Sequence, residues 1–354
     1  MADTECKIDI LSMTPEEISD YLKGEPRFRA GQIFKWLSSG TDFDGMTNIP
    51  ASLRQRLKDE CIIKTPRVKK KLSSKLDGTI KYLFELYDGV CVEAVYMVYQ
   101  HGNTLCVSSQ AGCRMGCKFC ASTKAGLLRS LSASEILGEI LAAEADTGTR
   151  ISNVVMMGMG EPLDNFDGTV RFLQLVSHPD GKNIGLRHIS VSTCGIVPRI
   201  YDLAKLDLPI TLSISLHASN NDSRSAIMPI NLSYPIEKLL AACRDYFAAT
   251  GRRISFEYTL IAGKNDSFSA ADELASKLKS SMTEEDGTYM PVHVNLIPLN
   301  HVDGSSMSRP DKNRVNAFRD RLISRGINAT VRRRLGPDID AACGQLRLRE
   351  SESE

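Results

Sequence analysis

The chain has almost no net charge: 44 Lys and Arg against 43 Asp and Glu leave +1 at neutral pH over 354 residues. A global pull toward nucleic acid is therefore excluded, and any such binding must come from local patches. No apolar run approaches the roughly 20 residues that cross a bilayer; the longest are strand-sized, such as residues 154–157. Met1-Ala2-Asp3-Thr4-Glu5 lacks the basic start and apolar stretch of a secretory leader. The expectation is a cytoplasmic protein with no membrane segment. With 42% apolar and 25% charged residues, it can bury a large core for an α/β domain plus a small accessory module.

What the chain does have is cysteine, ten residues in all. Disulfide scaffolds belong to short secreted chains, so grouped cysteines in this one point to metal ligation or thiol chemistry. Two basic runs are candidate RNA contacts: Arg67, Lys69, Lys70, Lys71 and Lys75, and Arg332, Arg333 and Arg334. For either run alone, a solvated face is the favoured reading.

The first sixty residues read as helices. Thr14-Pro15-Glu16-Glu17 is a helix start, Phe28, Ala30, Ile33, Phe34 and Leu37 recur at helical spacing before Gly40, and Leu53, Leu57 and Cys61 continue a third stretch. At Lys81 the period changes to that of a strand. Tyr82, Phe84 and Leu86 alternate, and Asp88-Gly89 turns the chain into a second strand over 92–98. A further strand over 104–108 ends just before a cysteine cluster. Beyond it, strands are expected at 154–157, 189–192, 211–216, 255–260, 293–297 and 329–332. Helices are expected from a capping box at Ser132–Glu135 to about Ala145, and at 236–249, 270–279 and 314–324. Such βα repeats imply a parallel sheet, either a partial barrel or an open doubly wound sheet. The division expected is a helical accessory domain over 1–75, a hairpin or meander extension over 76–98, a core over 99–340 and a tail over 341–354.

Cys113-Arg-Met-Gly-Cys117-Lys-Phe-Cys120 places three thiols within eight residues, in a loop loosened by Gly112 and Gly116. Three thiolates leave one corner of an iron–sulfur cubane open to bind a cofactor, whereas a structural zinc site needs a fourth ligand. Cys106, Cys194 or His188 are the candidates for that fourth place.

A CxxxCxxC triplet that follows a strand and opens a series of βα units resembles the signature of the radical S-adenosylmethionine (SAM) superfamily. The resemblance implies a radical SAM partial (β/α)6 barrel with a small N-terminal helical accessory domain. It also implies a [4Fe–4S] cluster on Cys113, Cys117 and Cys120, whose open iron binds the amino and carboxylate groups of SAM. Reduction there cleaves SAM to a 5′-deoxyadenosyl radical. Five further motifs stand in order: 106–113 (CVSSQAGC), 157–162 (MGMGEP), 213–217 (SISLH), 294–298 (VNLIP) and 338–345 (DIDAACGQ). Together they are similar to the RNA adenine-C2 methyltransferases of the RlmN type, over nearly the whole chain. That family acts on adenosine 2503 of 23S ribosomal RNA, and bacterial members also on adenosine 37 of some transfer RNAs.

The chemistry explains why such residues are needed. Carbon 2 of adenine is electron-poor and cannot attack the methyl of SAM as a nucleophile, so a radical route is required. By resemblance, Cys343 takes a methyl from one SAM, a second SAM generates the radical, and Cys106 promotes release, ending in a disulfide with Cys343. Glu93 matches an acid–base position. Gly158 and Gly160 would let backbone approach the methionine moiety, Glu161 would accept from its ammonium, and Ser192, Ser215, Leu216, His217 and Asn300 would complete the pocket. Taken alone, Cys343 and Cys106 read as small buried residues, Glu93 as an exposed hairpin glutamate and His217 as a core histidine. A flavodoxin or ferredoxin would supply the electron. The rival readings are methylation at carbon 8 of the same adenine, against which Pro162 is a marker, and a non-catalytic metal-bearing RNA-binding protein.

Overall fold

The computed structural model describes residues 7–283, 287, 289–300, 306–339 and 346. The N-terminal module comprises β1 (Ile8–Asp9), α1 (Pro15–Tyr21), α2 (Phe28–Ser38), α3 (Ala51–Glu60) and β2 (Cys61–Ile62), with β1 and β2 paired in parallel. Helix α1 starts as the sequence predicts. The Thr14 hydroxyl accepts from Glu17 N–H, the Glu17 carboxylate accepts from Thr14 N–H, and proline occupies the first turn. Ile33, Phe34 and Leu37 turn one face of α2 inward.

The module docks on two core helices, α4 (Ala133–Thr147) and α5 (Phe166–Ser177). Arg171 of α5 donates to both oxygens of Glu17 at 2.8 and 3.1 Å, and the Ser134 hydroxyl of α4 donates to Asp9 at 2.6 Å. Helix α4 also begins with a reciprocal capping box, between Ser132 and Glu135.

Ten strands form the main sheet: β3 (Arg67–Ser73), β4 (Ile80–Glu85), β5 (Cys91–Tyr99), β6 (Gly102–Cys106), β9 (Asn153–Met156), β10 (Ile189–Thr193), β11 (Thr211–Ser215), β12 (Ile254–Leu260), β13 (Val292–Pro298) and β14 (Asn328–Val331). A small hairpin of β7 (Gln110–Gly112) and β8 (Leu127–Ser130) lies between. Strands β3 to β6 are antiparallel, and β6 with β9 to β14 are parallel. The connecting helices are α4, α5, α6 (Val197–Ala204), α7 (Asn221–Ile227), α8 (Ile236–Thr250), α9 (Phe268–Ser281) and α10 (Lys312–Ser324). The expected βα alternation is present.

The sheet is curved. Arg332, just past β14, donates to the Met157 sulfur, just past β9, at 3.7 Å. Five inter-strand steps separate those strands, about 24 Å along a flat sheet. A side chain spans that gap only if the strands bend into an arc, which is the partial barrel.

Curvature gives each strand two different faces. Leu105, Val154, Val191, Leu212, Phe256 and Val294 point outward and are fully buried beneath helices. Each such side chain contributes about 1.5–3 kcal/mol. Their neighbours line a polar inner face: Ser192, Ser213 and Ser255 lie in one row, and Ser215, Glu257, Asn295 and Thr330 in the next.

Two expectations change. Strand β4 is buried on both faces, since Lys81 and Leu83 are as buried as Tyr82 and Phe84. The basic run at Arg67 is an edge strand, where alternating cations meet solvent and hide the strand period. Its charges are partly engaged: Arg67 and Lys69 pair with Glu85, and Lys71 pairs with Asp146.

Candidate active site

The cysteine loop sits at the carboxyl ends of the parallel strands, where βα folds place their sites. Gly112 ends β7 with φ +89°, and a Cβ there would lie 1.9 Å from the Gly126 carbonyl oxygen, so no other residue fits. Cys113 N–H donates to that same carbonyl at 3.1 Å, fixing where the loop begins. Lys118 N–H donates to Ile227 O at 2.9 Å and ties the loop to the end of α7. Cys117 packs with Cys194, Ile227, Met228, Ile261 and Leu299, and Cys120 lies against the same apolar wall. The Phe119 ring meets His217 edge-on, with centroids 4.8 Å apart.

Electrostatics set the chemistry of these thiols. Burial pushes Cys113 up to about 12, and the charges of Cys120, Glu161 and Asp164 add to it. Burial likewise raises Cys117, reinforced by Cys120 and Cys113 and opposed by Arg224. Cys120 is raised by burial too, with Ser122 and Thr123 opposing and the Glu93 charge adding a little. Three thiols whose ionisation burial opposes become thiolates together around a cationic centre, and an iron–sulfur cluster supplies one.

Among the described residues, no three His, Cys, Asp or Glu side chains form a group that could hold a metal ion as they stand. The fourth-ligand candidates mostly fall away. His188 precedes β10 and contacts Asn153 at 3.1 Å, at the amino ends of the parallel strands and so at the end of the sheet away from the cysteine loop. Cys106 packs with Val95 and Met97. Cys194 alone lies beside the triplet.

The loop after β9 packs against the loop after β6. A Cβ on Gly158 would lie 2.5 Å from Val107 O, and one on Gly160, at φ +103°, 2.6 Å from Gln110 N. These glycines therefore admit the protein's own backbone. Burial raises the Glu161 carboxyl, with backbone donors opposing; its oxygens accept from Cys194 N–H at 2.7 Å and Leu163 N–H at 3.0 Å. Glu161 thus joins the ends of β9 and β10. Ser192 and Ser215 lie on the inner face, half-buried, Leu216 and His217 are buried just beyond β11, and Asn300 is exposed beyond β13.

His217 is held as a neutral acceptor. Its φ is +57°, Thr259 N–H donates to Nδ1 at 2.9 Å, and burial aided by Arg224 lowers its pKa to about 3.

On the antiparallel side, Glu93 is fully buried, which corrects the exposed-hairpin reading. Lys81, also buried, pairs with it at 3.1 Å. In register, Cys106 lies opposite Val95, with Glu93 two residues further toward the site. Leu335, on the chain leaving β14, packs against the Cys106 cluster. Cys343 and Cys6 lie outside the described residues.

Sequence reasoning missed Lys81, Arg224 and Glu257. Lys81 is a lone cation inside an apolar strand, which is a legible signal. Glu257 accepts from Asn295 at 2.7 Å and Ser255 at 3.2 Å on the inner face; serines alternating with aliphatics on β10 and β11 mark that face. Arg224 had no signal beyond its own identity.

Residues 107–275 match the radical SAM superfamily, and residues 8–63 match the ribosomal RNA large subunit methyltransferase N-terminal domain. A protein from Clostridium novyi, described as a probable dual-specificity RNA methyltransferase RlmN, is 48% identical, covering 96% of this chain and 97% of its own. One of the same description from Alkaliphilus oremlandii is 49% identical over 96% and 98%. The crystal structure of a radical SAM methyltransferase from Sphaerobacter thermophilus superposes with a TM-score of 0.89 at 42% identity, over 96% of this chain and 98% of that one. Full-length likeness at this level, on the same fold and with the same N-terminal module, places the chain in the RlmN family of radical SAM RNA methyltransferases, enzymes that use a [4Fe–4S] cluster and SAM.

Proposed function

We propose that the chain methylates carbon 2 of adenosine 2503 in 23S ribosomal RNA, and of adenosine 37 in transfer RNAs, by way of an S-methylated Cys343. The observation that supports this reading most directly is the contact of Leu335 with the Cys106 cluster. It brings Leu335, eight residues before Cys343, against the thiol that this mechanism requires Cys343 to meet. Cys113, Cys117 and Cys120 hold the cluster, and Gly160, Glu161, Ser192, Ser215, Leu216, His217 and Asn300 surround SAM. When bound, the cluster and SAM would supply a 5′-deoxyadenosyl radical, with the electron coming from a flavodoxin or ferredoxin.

The residues do the rest. The Cys343 sulfur accepts a methyl from a first SAM, forming a thioether. Loss of one hydrogen atom from that methyl, to the 5′-deoxyadenosyl radical, leaves a carbon radical tethered to Cys343, which adds to adenine C2; the adduct gives up one electron, for which the oxidised cluster would be the acceptor. Glu93, paired with Lys81 at 3.1 Å, takes the C2 proton. The Cys106 thiolate attacks the Cys343 sulfur, the carbon–sulfur bond breaks as the disulfide forms, and its electron pair passes to the methylene carbon, which takes up a proton to become the methyl group. The target base must leave its stack to reach this depth. Work on ribosomal and transfer RNA implies a cytoplasmic location, and no helix among the described residues is long and apolar enough to cross a membrane.

The test is anaerobic reconstitution, turnover on unmodified ribosomal RNA and mass spectrometry of the nucleosides. 2-Methyladenosine is expected. 8-Methyladenosine would transfer the chain to the carbon-8 reading, and unmodified RNA would overturn both.

A further inference from the structure

Arg224 is fully buried on α7, and every acceptor its guanidinium meets is neutral. It donates to Cys194 O at 2.7 Å, Ser215 O at 3.1 Å, Leu216 O at 3.1 Å, Asn231 Oδ1 at 3.1 Å and Tyr234 O at 3.5 Å. No Asp or Glu among the described residues pairs with it. A buried guanidinium without a counter-charge is costly, and bracing carbonyls alone does not require a full charge.

Its position suggests where the balancing charge lies. Arg224 is one helical turn, about 5 Å, before Ile227. Ile227 O holds the cysteine loop through Lys118 N–H, and Ile227 and Met228 form the wall on which Cys117 packs. The Cys194 carbonyl it grips belongs to the residue packed beside Cys117. Gly116 lies over Pro229, at 3.4 Å for a Cβ built there. The cysteine loop therefore rests on the segment carrying the unbalanced cation, in surroundings that screen charge poorly.

We propose that Arg224 is the counter-charge of the cluster thiolates, and that its charge eases the cluster's uptake of one electron. The assignment rests on the cluster being held by Cys113, Cys117 and Cys120. In the step concerned, a low-potential one-electron donor is oxidised and the cluster is reduced, with no bond made or broken. Arg224 acts through its field and touches neither cluster nor SAM.

The experiment is an anaerobic, dithionite-poised redox titration of the reconstituted full chain, read by electron paramagnetic resonance, alongside iron content and unfolding temperature. Arg224→Gln should shift the midpoint to more negative potential, with the reduction equilibrium changed about tenfold, or about 59 mV for one electron. Arg224→Lys should keep the midpoint near that of the unsubstituted protein while losing unfolding temperature, because it keeps the charge and loses the fork. Asn231→Asp gives the guanidinium a carboxylate in place of an amide oxygen, and should shift the midpoint in the same direction as Gln. If the Gln protein does not fold, the Asp and Lys proteins decide. Unchanged midpoints in Gln and Asp, or a Lys midpoint as negative as that of Gln, would overturn the proposal and leave Arg224 as a brace. Absence of a cluster from the unsubstituted protein would instead defeat the ligand assignment.

Discussion

Asp338 accepts the Ser74 hydroxyl at 2.7 Å and the Lys75 N–H at 2.9 Å, although 264 residues separate Asp338 from Ser74. The chain leaving β14, at one edge of the sheet, is thereby fastened to the turn beside β3, at the other. Asp77 holds the same segment by accepting from Gly336 N–H at 2.8 Å. The strap crosses the open side of the partial barrel and lays Leu335 on the Cys106 cluster.

Breaking this anchor should misplace Cys343, the proposed methyl carrier, without emptying the cluster site. Asp338→Ala is expected to retain iron and to slow RNA methylation about ten- to a hundredfold, the usual effect of small misplacement. Iron analysis and single-turnover assays with labelled SAM measure both; unchanged turnover would show that the strap does not position Cys343.

The Lys81–Glu93 pair, completely buried, makes a stability prediction. Lys81→Met strands a buried carboxylate and should cost about 3–5 kcal/mol in denaturant unfolding of the cluster-free protein. Replacing Glu93 by Gln as well should recover part of that loss, because the stranded charge is gone. A single substitution within experimental error of the parent would mean that the pair is solvated in solution.

Cys106→Ala should leave methyl transfer to Cys343 and addition to RNA intact but block release. A covalent protein–RNA adduct is expected on denaturing gels. Free methylated RNA formed at the parental rate would show that another group resolves the adduct.

His217 gives the pH dependence its sign. Unfolded histidine titrates near 6.5, whereas burial lowers the folded value to about 3. Between these values the unfolded chain binds the extra proton, so the stabilisation is complete above about pH 6.5 and is lost as pH falls toward 3. His217→Asn keeps a side-chain acceptor for Thr259 N–H and tolerates the positive φ. Its unfolding temperature should fall less steeply across that window. Identical slopes would place the titration elsewhere.

Much of the fold was legible because periodicity and punctuation agreed: Thr14 and Ser132 cap their helices as their spacing implies, and the aliphatic positions of β10 to β13 face the helices. What escaped were side chains buried in the barrel interior. Period-two patterning marks one covered face, and the inner face of a barrel covers the other, so Glu93 read as exposed and Lys81 and Glu257 were passed over. The cysteine triplet was legible from spacing alone. The engagement of Glu161 with two backbone N–H groups was not, since it depends on loops from two different strands meeting.

The most direct test of the central claim compares the unsubstituted protein with Cys120→Ala after anaerobic reconstitution, measuring iron, sulfide and 5′-deoxyadenosine released on reduction with SAM. The account predicts iron and sulfide in equal amounts with 5′-deoxyadenosine for the former, and loss of all three for the latter. Bound zinc in place of iron, or 5′-deoxyadenosine from the Cys120→Ala protein, would contradict it.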